Sequence, residues 1–276
     1  MRNKPTMYRC LHKPIKWFER FGDVTETLHG PMIFQDNGAE VLGVAHLDTV
    51  KSNPKAWIGR TTISNCPQLD DRLGVWVLLN ALPSRGLKFD LLLCDSEEVG
   101  QSTAQYFNAP RQYNWIFEFD RAGEDAVTYD FSTPAWDALL EGYGWKVEFG
   151  AFSDISALEF DIGCKGVNIG VGYHRQHTDS CWASLSQTKS AVDKFCRFYS
   201  EQYNVFMPHE HKEVYNTYSR HYPASRFNGY GGYGNCETVT SSKELCGYCG
   251  EDMYADRWVF CPYCGSPIPG RRMLYS

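Results

Sequence analysis

A chain of 276 residues with 43% hydrophobic and 22% charged side chains has the length for one large or two ordinary domains and the apolar content for a core. A minimal module and a disordered chain are both excluded. The 27 basic and 33 acidic side chains leave a formal charge of −6, the wrong sign for a surface that grips nucleic acid or anionic lipid over its whole extent.

The first stretch, MRNKPTMYRCLHKPIKWFERFG, is basic but lacks the apolar run of roughly 7–15 residues that a signal peptide needs. No later stretch approaches the ~20 apolar residues of a spanning helix, so no membrane partner is expected. Of 11 cysteines, four share one pattern near the end. The other seven are scattered without pairing spacing, which reads as free thiols in a reducing cytosol and gives a cytoplasmic expectation.

In chain order, strand-length apolar runs stand at 41–45, 89–94, 115–119 and 167–171. Helical spacing follows the first of them at 73–82 and closes the region at 186–203. Alternating strands and helices predict an α/β fold with a largely parallel sheet. The runs are continuously apolar instead of alternating, as expected of a sheet covered on both faces. Past about 210 the composition shifts: YNTYSRHYPASRFNGYGGYGN is rich in Tyr, Gly, Ser and Asn, which predicts a linker or loop over 211–243.

Each strand-length run stops at residues of the kind that ligate metals. The first leads into His46-Leu47-Asp48, the second into Asp95-Ser96-Glu97-Glu98, the third into Asp120, and the fourth into a segment holding His174 and His177. In an open α/β sheet functional groups gather outside the carboxyl ends of the strands, so these endings are expected to share one crevice. A fifth contributor, Gln68-Leu69-Asp70-Asp71, stands just before the first helix.

That collection suits a pair of divalent cations, which need His and carboxylate ligands, one carboxylate bridging, and open positions for water. A further carboxylate that is not a ligand then takes the proton of that water. Glu97 and Glu98 suit this division, because adjacent residues point in different directions. His46 and Asp48, two apart, point to the same side of an extended segment. There the carboxylate holds the second imidazole nitrogen and fixes the tautomer.

In this order, His46-x-Asp48, Asp70-Asp71-x-x-Gly74, Glu97-Glu98-Val99-Gly100, Asp120-Arg121 and Gly172-Tyr173-x-x-x-His177-Thr178 resemble the co-catalytic di-zinc exopeptidases. That superfamily includes bacterial leucyl-type aminopeptidases, tripeptidases and glutamate carboxypeptidases. The resemblance spans about residues 40–180 and implies a three-layer α/β sandwich with a catalytic domain at 1–210. It implies one zinc site of His46, Asp70 and Asp120, and another of Asp70, Glu98 and His177, with Asp70 bridging. Manganese or cobalt are further candidates for these His and carboxylate sites. Glu97 would be the general base, Asp48 would orient His46, and the Asp70–Asp71 peptide would be cis. Only 56 residues separate Asp120 from His177, too few for the lid domain inserted in several relatives, so the aminopeptidase-like form is the nearer likeness. His174 competes with His177 for the last ligand position, and Asp154 reads either as a pocket group or as a helix N-cap.

Near the end, Cys246-x-x-Cys249 and Cys261-x-x-Cys264 are separated by eleven residues. Two such knuckles turn four thiolates toward one metal, so 244–276 resembles a zinc ribbon holding one structural zinc, with a strand expected over 253–260. Its charges balance, which favours protein docking or a lid role over nucleic acid. The expected function is that of a di-zinc exopeptidase, a metal-dependent hydrolase acting on peptides or amino-acid conjugates. Alternatives are an N-acyl amino acid deacylase, a cell-wall amidase, or an inactive relative serving as a metal-shaped adaptor. A general base at Glu97 has no use in an adaptor.

Overall fold

The computed structural model describes residues 4–211 together with the backbone of Glu244–Leu245 and Asp252–Met253, which pair antiparallel. Beyond those two pairs, the expected linker past His211 and the expected ribbon with Cys246, Cys249, Cys261 and Cys264 lie outside the described residues, as does the expected strand after Met253.

Helix α1 (Met7–His12) opens the chain, its first turn capped by the Thr6 hydroxyl, which accepts from the Arg9 amide at 3.3 Å. A hairpin follows, β1 (Asp23–Thr27) with β2 (Gly30–Gln35), and then β3 (Val41–His46), β4 (Trp57–Ile58) and β5 (Thr62–Ser64). Helix α2 (Leu69–Trp76) runs through a π-helical turn into α3 (Leu82–Ser84). The remaining elements are β6 (Asp90–Cys94), β7 (Trp115–Arg121), β8 (Ala126–Val127), α4 (Pro134–Gly142), β9 (Val147–Glu148), α5 (Asp154–Ile162), β10 (Lys165–Gly170), β11 (Tyr173–His174), β12 (Trp182–Ser184) and α6 (Leu185–Gln202).

Eight strands form one mixed sheet in the order β1-β2-β6-β3-β7-β10-β8-β9. Its centre, β6-β3-β7-β10, is parallel throughout, so these four strands end at the same edge. Antiparallel pairing enters where β1 and β2 add to one side and β8 to the other. Sequence pattern did not expose the β1–β2 hairpin: the first four residues of β1 are exposed and polar apart from Val24, so no apolar run marks it. A second sheet, β11-β12-β5-β4, carries the segment between β10 and α6.

Continuous apolar strands follow from burial on both faces. In β3, Val41 and Ala45 join one apolar cluster while Leu42 and Val44 join another; in β6, Leu91 and Leu93 oppose Leu92 and Cys94 in the same way. The first cluster is closed by residues of α1, α2, α4 and α6, among them Leu11, Leu73, Trp136 and Phe195, and the second by Ile155, Leu158 and Ile162 of α5. Helices therefore cover both faces of the sheet, the arrangement of an α/β sandwich.

Phe195 anchors the longest helix to the sheet. Fully buried, its ring stands 4.5 Å from that of Phe117 and 5.1 Å from that of Phe119, both on β7. No helix among the described residues is long and apolar enough to cross a membrane. Truncating Phe195 to Ala removes the aromatic contacts and leaves a cavity against β7, which is expected to cost about 3–5 kcal/mol. Chemical denaturation of the two chains measures this, and a loss below about 1 kcal/mol would mean that α6 is held by something else.

Candidate metal centre

Parallel pairing brings the strand ends together. His46 closes β3; β6 leads through Asp95 and Ser96 into a single 3-10 turn, Glu97–Val99; Asp120 lies near the end of β7. Ser96 and Gly100, at φ 63° and 69°, bracket that turn in the left-handed region and present the two glutamates outward from the strand. Glycine accepts that conformation freely, while Ser96 holds it at some cost, a pattern that clusters at functional sites. Asp70 and Asp71 stand at the start of α2, joined by a cis peptide as the resemblance implied. Gly74 is required one turn later, since a Cβ there would lie 2.1 Å from Asp71 Oδ1 and 2.7 Å from the Phe119 carbonyl.

The resulting contacts surround Asp70. His46 Nε2 is 3.4 Å from Asp70 Oδ1 and 3.5 Å from Asp120 Oδ1. On the other side, His177 Nε2 is 3.1 Å from Asp70 Oδ2 and 3.0 Å from Glu98 Oε2. The two oxygens of Asp70 thus face different imidazoles. Glu97 Oε2 stands farther off, 3.8 Å from His46 Nε2. Asp48 lies behind the imidazole: its Oδ1 is 3.4 Å from His46 Nδ1, whose nearest acceptor is the Asp48 backbone carbonyl at 3.1 Å. The same carboxylate accepts from the Glu97 amide at 3.2 Å and the Glu98 amide at 3.1 Å, tying β3 to the glutamate turn.

These separations fit a cation. Donors about 2.0–2.1 Å from a tetrahedral zinc stand roughly 3.3 Å from one another. His46 Nε2 and Glu98 Oε1 are buried without a hydrogen-bond partner among the described residues, as are both oxygens of Asp71. Such groups are costly to bury unless something compensates them. Grouped by single donor atoms within 4.8 Å of one another, the side chains form two sets: His46 with Asp71 and Asp120, and His46 with Asp70 and Glu98. Two features differ from the expected division. Asp71 joins the Asp120 side, and His46 belongs to both sets. His177 belongs to neither set, but its Nε2 makes the close contacts with Asp70 and Glu98 given above.

His174, the competing histidine, points elsewhere. Its Nε2 lies 2.8 Å from Gln187 Oε1, and its ring stacks on Trp182 at 4.5 Å. Asp154 is not a cap, since Ser153 caps α5. Asp154 is instead wholly buried and accepts from the Ser102 hydroxyl. Sequence pattern did not single out Glu118, which is fully buried in β7 with Asp154 among its charged neighbours. The available signal was a charged residue inside an apolar run. Asn168 on β10 accepts from the Asp120 amide at 2.9 Å and donates to its carbonyl at 3.0 Å, fixing the backbone that carries this ligand type.

Electrostatics set the site apart. Burial first, then the negative charges of Asp120, Asp154 and Asp70, hold the Glu97 carboxyl well above the usual range, with His46 pulling the other way. Asp120 is likewise raised well above its ordinary value, by burial and then by Asp70. Burial raises Asp154 to about 6. Burial opposes protonation of His177, but hydrogen bonds to Asp70 and Glu98 outweigh it and bring the imidazole up to about 11.

No protein-family model matches the sequence, and neither does any curated protein. Among solved structures, a tripeptidase from Staphylococcus aureus is similar at 11% identity and a TM-score of 0.49, over 65% of this chain and 88% of that one. The aminopeptidase PepT of Bacillus cereus is similar at 11% identity and 0.46, over 63% and 87%. The TET1 peptidase of Pyrococcus horikoshii is similar at 14% identity and 0.43, over 66% and 90%. Likeness at that level says nothing of substrate.

A histidine raised to about 11 carries a proton at pH 7 and must lose it to ligate a cation. Zinc uptake is therefore expected to release about one proton or more per chain at pH 7, and apparent affinity is expected to fall as the pH is lowered. Titration calorimetry in two buffers of different ionisation enthalpy measures the release; a heat independent of buffer contradicts it.

Proposed function

We propose that the chain is a metal-dependent hydrolase of peptide or related amide bonds, an aminopeptidase-like di-zinc exopeptidase. The observation that supports this most is Asp70, with one oxygen toward His46 and the other toward His177. His46, Asp70 and Asp120, with Asp71 beside them, would hold one cation; Asp70, Glu98 and His177 would hold the other. Bound divalent cations supply Lewis acidity to a scissile carbonyl and make water a nucleophile at neutral pH.

The remaining work falls to the chain. Glu97 lies beside the ligands, and a raised carboxyl pKa suits a group that takes a proton from the attacking water and delivers it to the leaving amine. Asp48 keeps His46 Nδ1 occupied, so that Nε2 faces the carboxylates, and it locks the glutamate turn through two backbone amides. Asn168 and Tyr173 steady Asp120, the tyrosine hydroxyl donating to its Oδ1 at 3.4 Å. No protein nucleophile is needed. Burial pushes the Cys94 thiol well above its usual range, and Cys181 is raised as well, so neither is a ready thiolate.

Residues 244–276 are read as a ribbon in which Cys246, Cys249, Cys261 and Cys264 share a structural zinc and present a face to a protein partner. Replacing Glu97 by Gln keeps shape and removes the base. Turnover of aminoacyl substrates is expected to fall by ~10²–10⁴-fold with zinc content by elemental analysis unchanged. Zinc lost along with activity would make Glu97 a ligand and leave the base unassigned.

A further inference from the structure

Burial does not explain the β1–β2 hairpin. No residue of β1 joins either apolar cluster, and its first four residues are exposed. What the hairpin does deliver is its turn. β2 runs antiparallel to β6, with Ile33 opposite Leu93 and Phe34 opposite Leu92. Carried three residues further, that register sets Gly30 opposite Ser96, so the hairpin turn lies alongside the entry of the glutamate turn.

Contacts join the two turns where the register puts them. The Ser96 hydroxyl donates to the His29 carbonyl at 2.6 Å. The Ser96 amide donates to Asp95 Oδ1 at 2.7 Å, and the other oxygen of that carboxylate lies where a Cβ on Gly30 would meet it at 2.6 Å. Gly30 also has φ 126°, so only glycine fits this approach. The hairpin turn is closed in itself: Thr27 Oγ1 donates to the Gly30 carbonyl at 2.7 Å and accepts from the His29 amide at 3.2 Å. Leu28 and Val99, one on each turn, are both exposed, so burial of these side chains does not hold the turns together.

The glutamate turn depends on such a hold. Asp48 grips the Glu97 and Glu98 amides from the β3 side, and the Gly100 amide closes the turn on the Glu97 carbonyl at 2.8 Å. Ser96 stands at the entry in the left-handed region, and its side chain makes no cap bond to the turn. Its hydroxyl reaches out to the hairpin instead. A non-glycine residue keeps that conformation where its surroundings over-determine it. Rotation at Ser96 would swing both glutamates, which follow it directly. A cation would steady Glu98 as a ligand, whereas Glu97, the base, has only the turn to place it.

We infer that Ser96 is a positioning residue: by donating to the His29 carbonyl it lets the β1–β2 turn fix the entry of the glutamate turn, and so sets where Glu97 meets the attacking water. The inference rests on the hydrolase reading above.

Two substitutions remove the hydroxyl in different ways. Ser96→Ala keeps a Cβ in the left-handed conformation, whereas Ser96→Gly is relieved of that strain. A loss common to both belongs to the hydroxyl. With the zinc-loaded full-length chain and leucyl-p-nitroanilide as probe, kcat is expected to fall about tenfold or more in each, with KM and zinc stoichiometry unchanged. In a Glu97→Gln background the same substitutions should change kcat less than twofold, because the group they position is gone. Amide hydrogen exchange across 95–100 reads the hold without turnover and is expected to quicken at least fivefold in both variants, with β3 unchanged. The inference is overturned by kcat kept in either folded variant, by an equal loss with and without the Glu97 carboxylate, by zinc lost along with activity, or by unchanged exchange. If the parent chain cleaves no substrate while exchange at 95–100 quickens in both variants, the hydrolase reading falls and the hold of the hairpin on the turn stands.

Discussion

Carboxylates that share a buried region repel one another, and each resists losing its water. The parallel centre of this sheet and the start of α2 bring Asp70, Asp71, Glu97, Glu98 and Asp120 to one edge, where His46 and His177 stand among them. Burial and mutual repulsion push Glu97, Asp71 and Asp120 far above their ordinary values. A fold whose packing forces that density of acid into its interior is organised around positive charge. Divalent cations would supply it, and binding them would reverse the local titration logic that raises those groups.

The supporting parts follow from that constraint. Asp48 couples the end of β3 to the glutamate turn through one carboxylate, so His46 and the two glutamates are set together. Asn168 ties β10 to Asp120 where the register of the two strands shifts. Arg72, two residues from Asp70, reaches the opposite way and pins the carbonyls of Leu47, Cys10 and Lys13. One guanidinium therefore links α1, the end of β3 and the start of α2. The helix that opens the chain becomes one wall of a cleft that Asp48 and Arg72 also line.

How much of this was legible in the sequence depends on what each signal reports. The four central strands announced themselves as unbroken apolar runs because helices cover both of their faces, and their polar stops marked the edge where the site lies. Pattern did not reveal the β1–β2 hairpin, whose outer strand faces water and is mostly polar. Glu118 was hidden by its apolar neighbours, since a single acid does not break a run. The choice between His177 and His174 turns on a loop whose path no periodicity encodes: Arg175 and His177 both take positive φ, and only the first histidine stacks on Trp182. Asp154 looked like a cap because it sits one residue past the true one, Ser153. Arg72 gave no sign at all, because its partners are backbone carbonyls, which sequence does not mark.

The central claim is that Asp70 divides its two oxygens between two cations. The most direct measurement is an anomalous difference map at the zinc absorption edge, from crystals of the full-length chain grown with zinc. Two peaks about 3.5–4 Å apart, one on each side of the Asp70 carboxylate, with His46 on the first and His177 on the second, are the predicted result. A single peak, or none within reach of Asp70, would contradict the account.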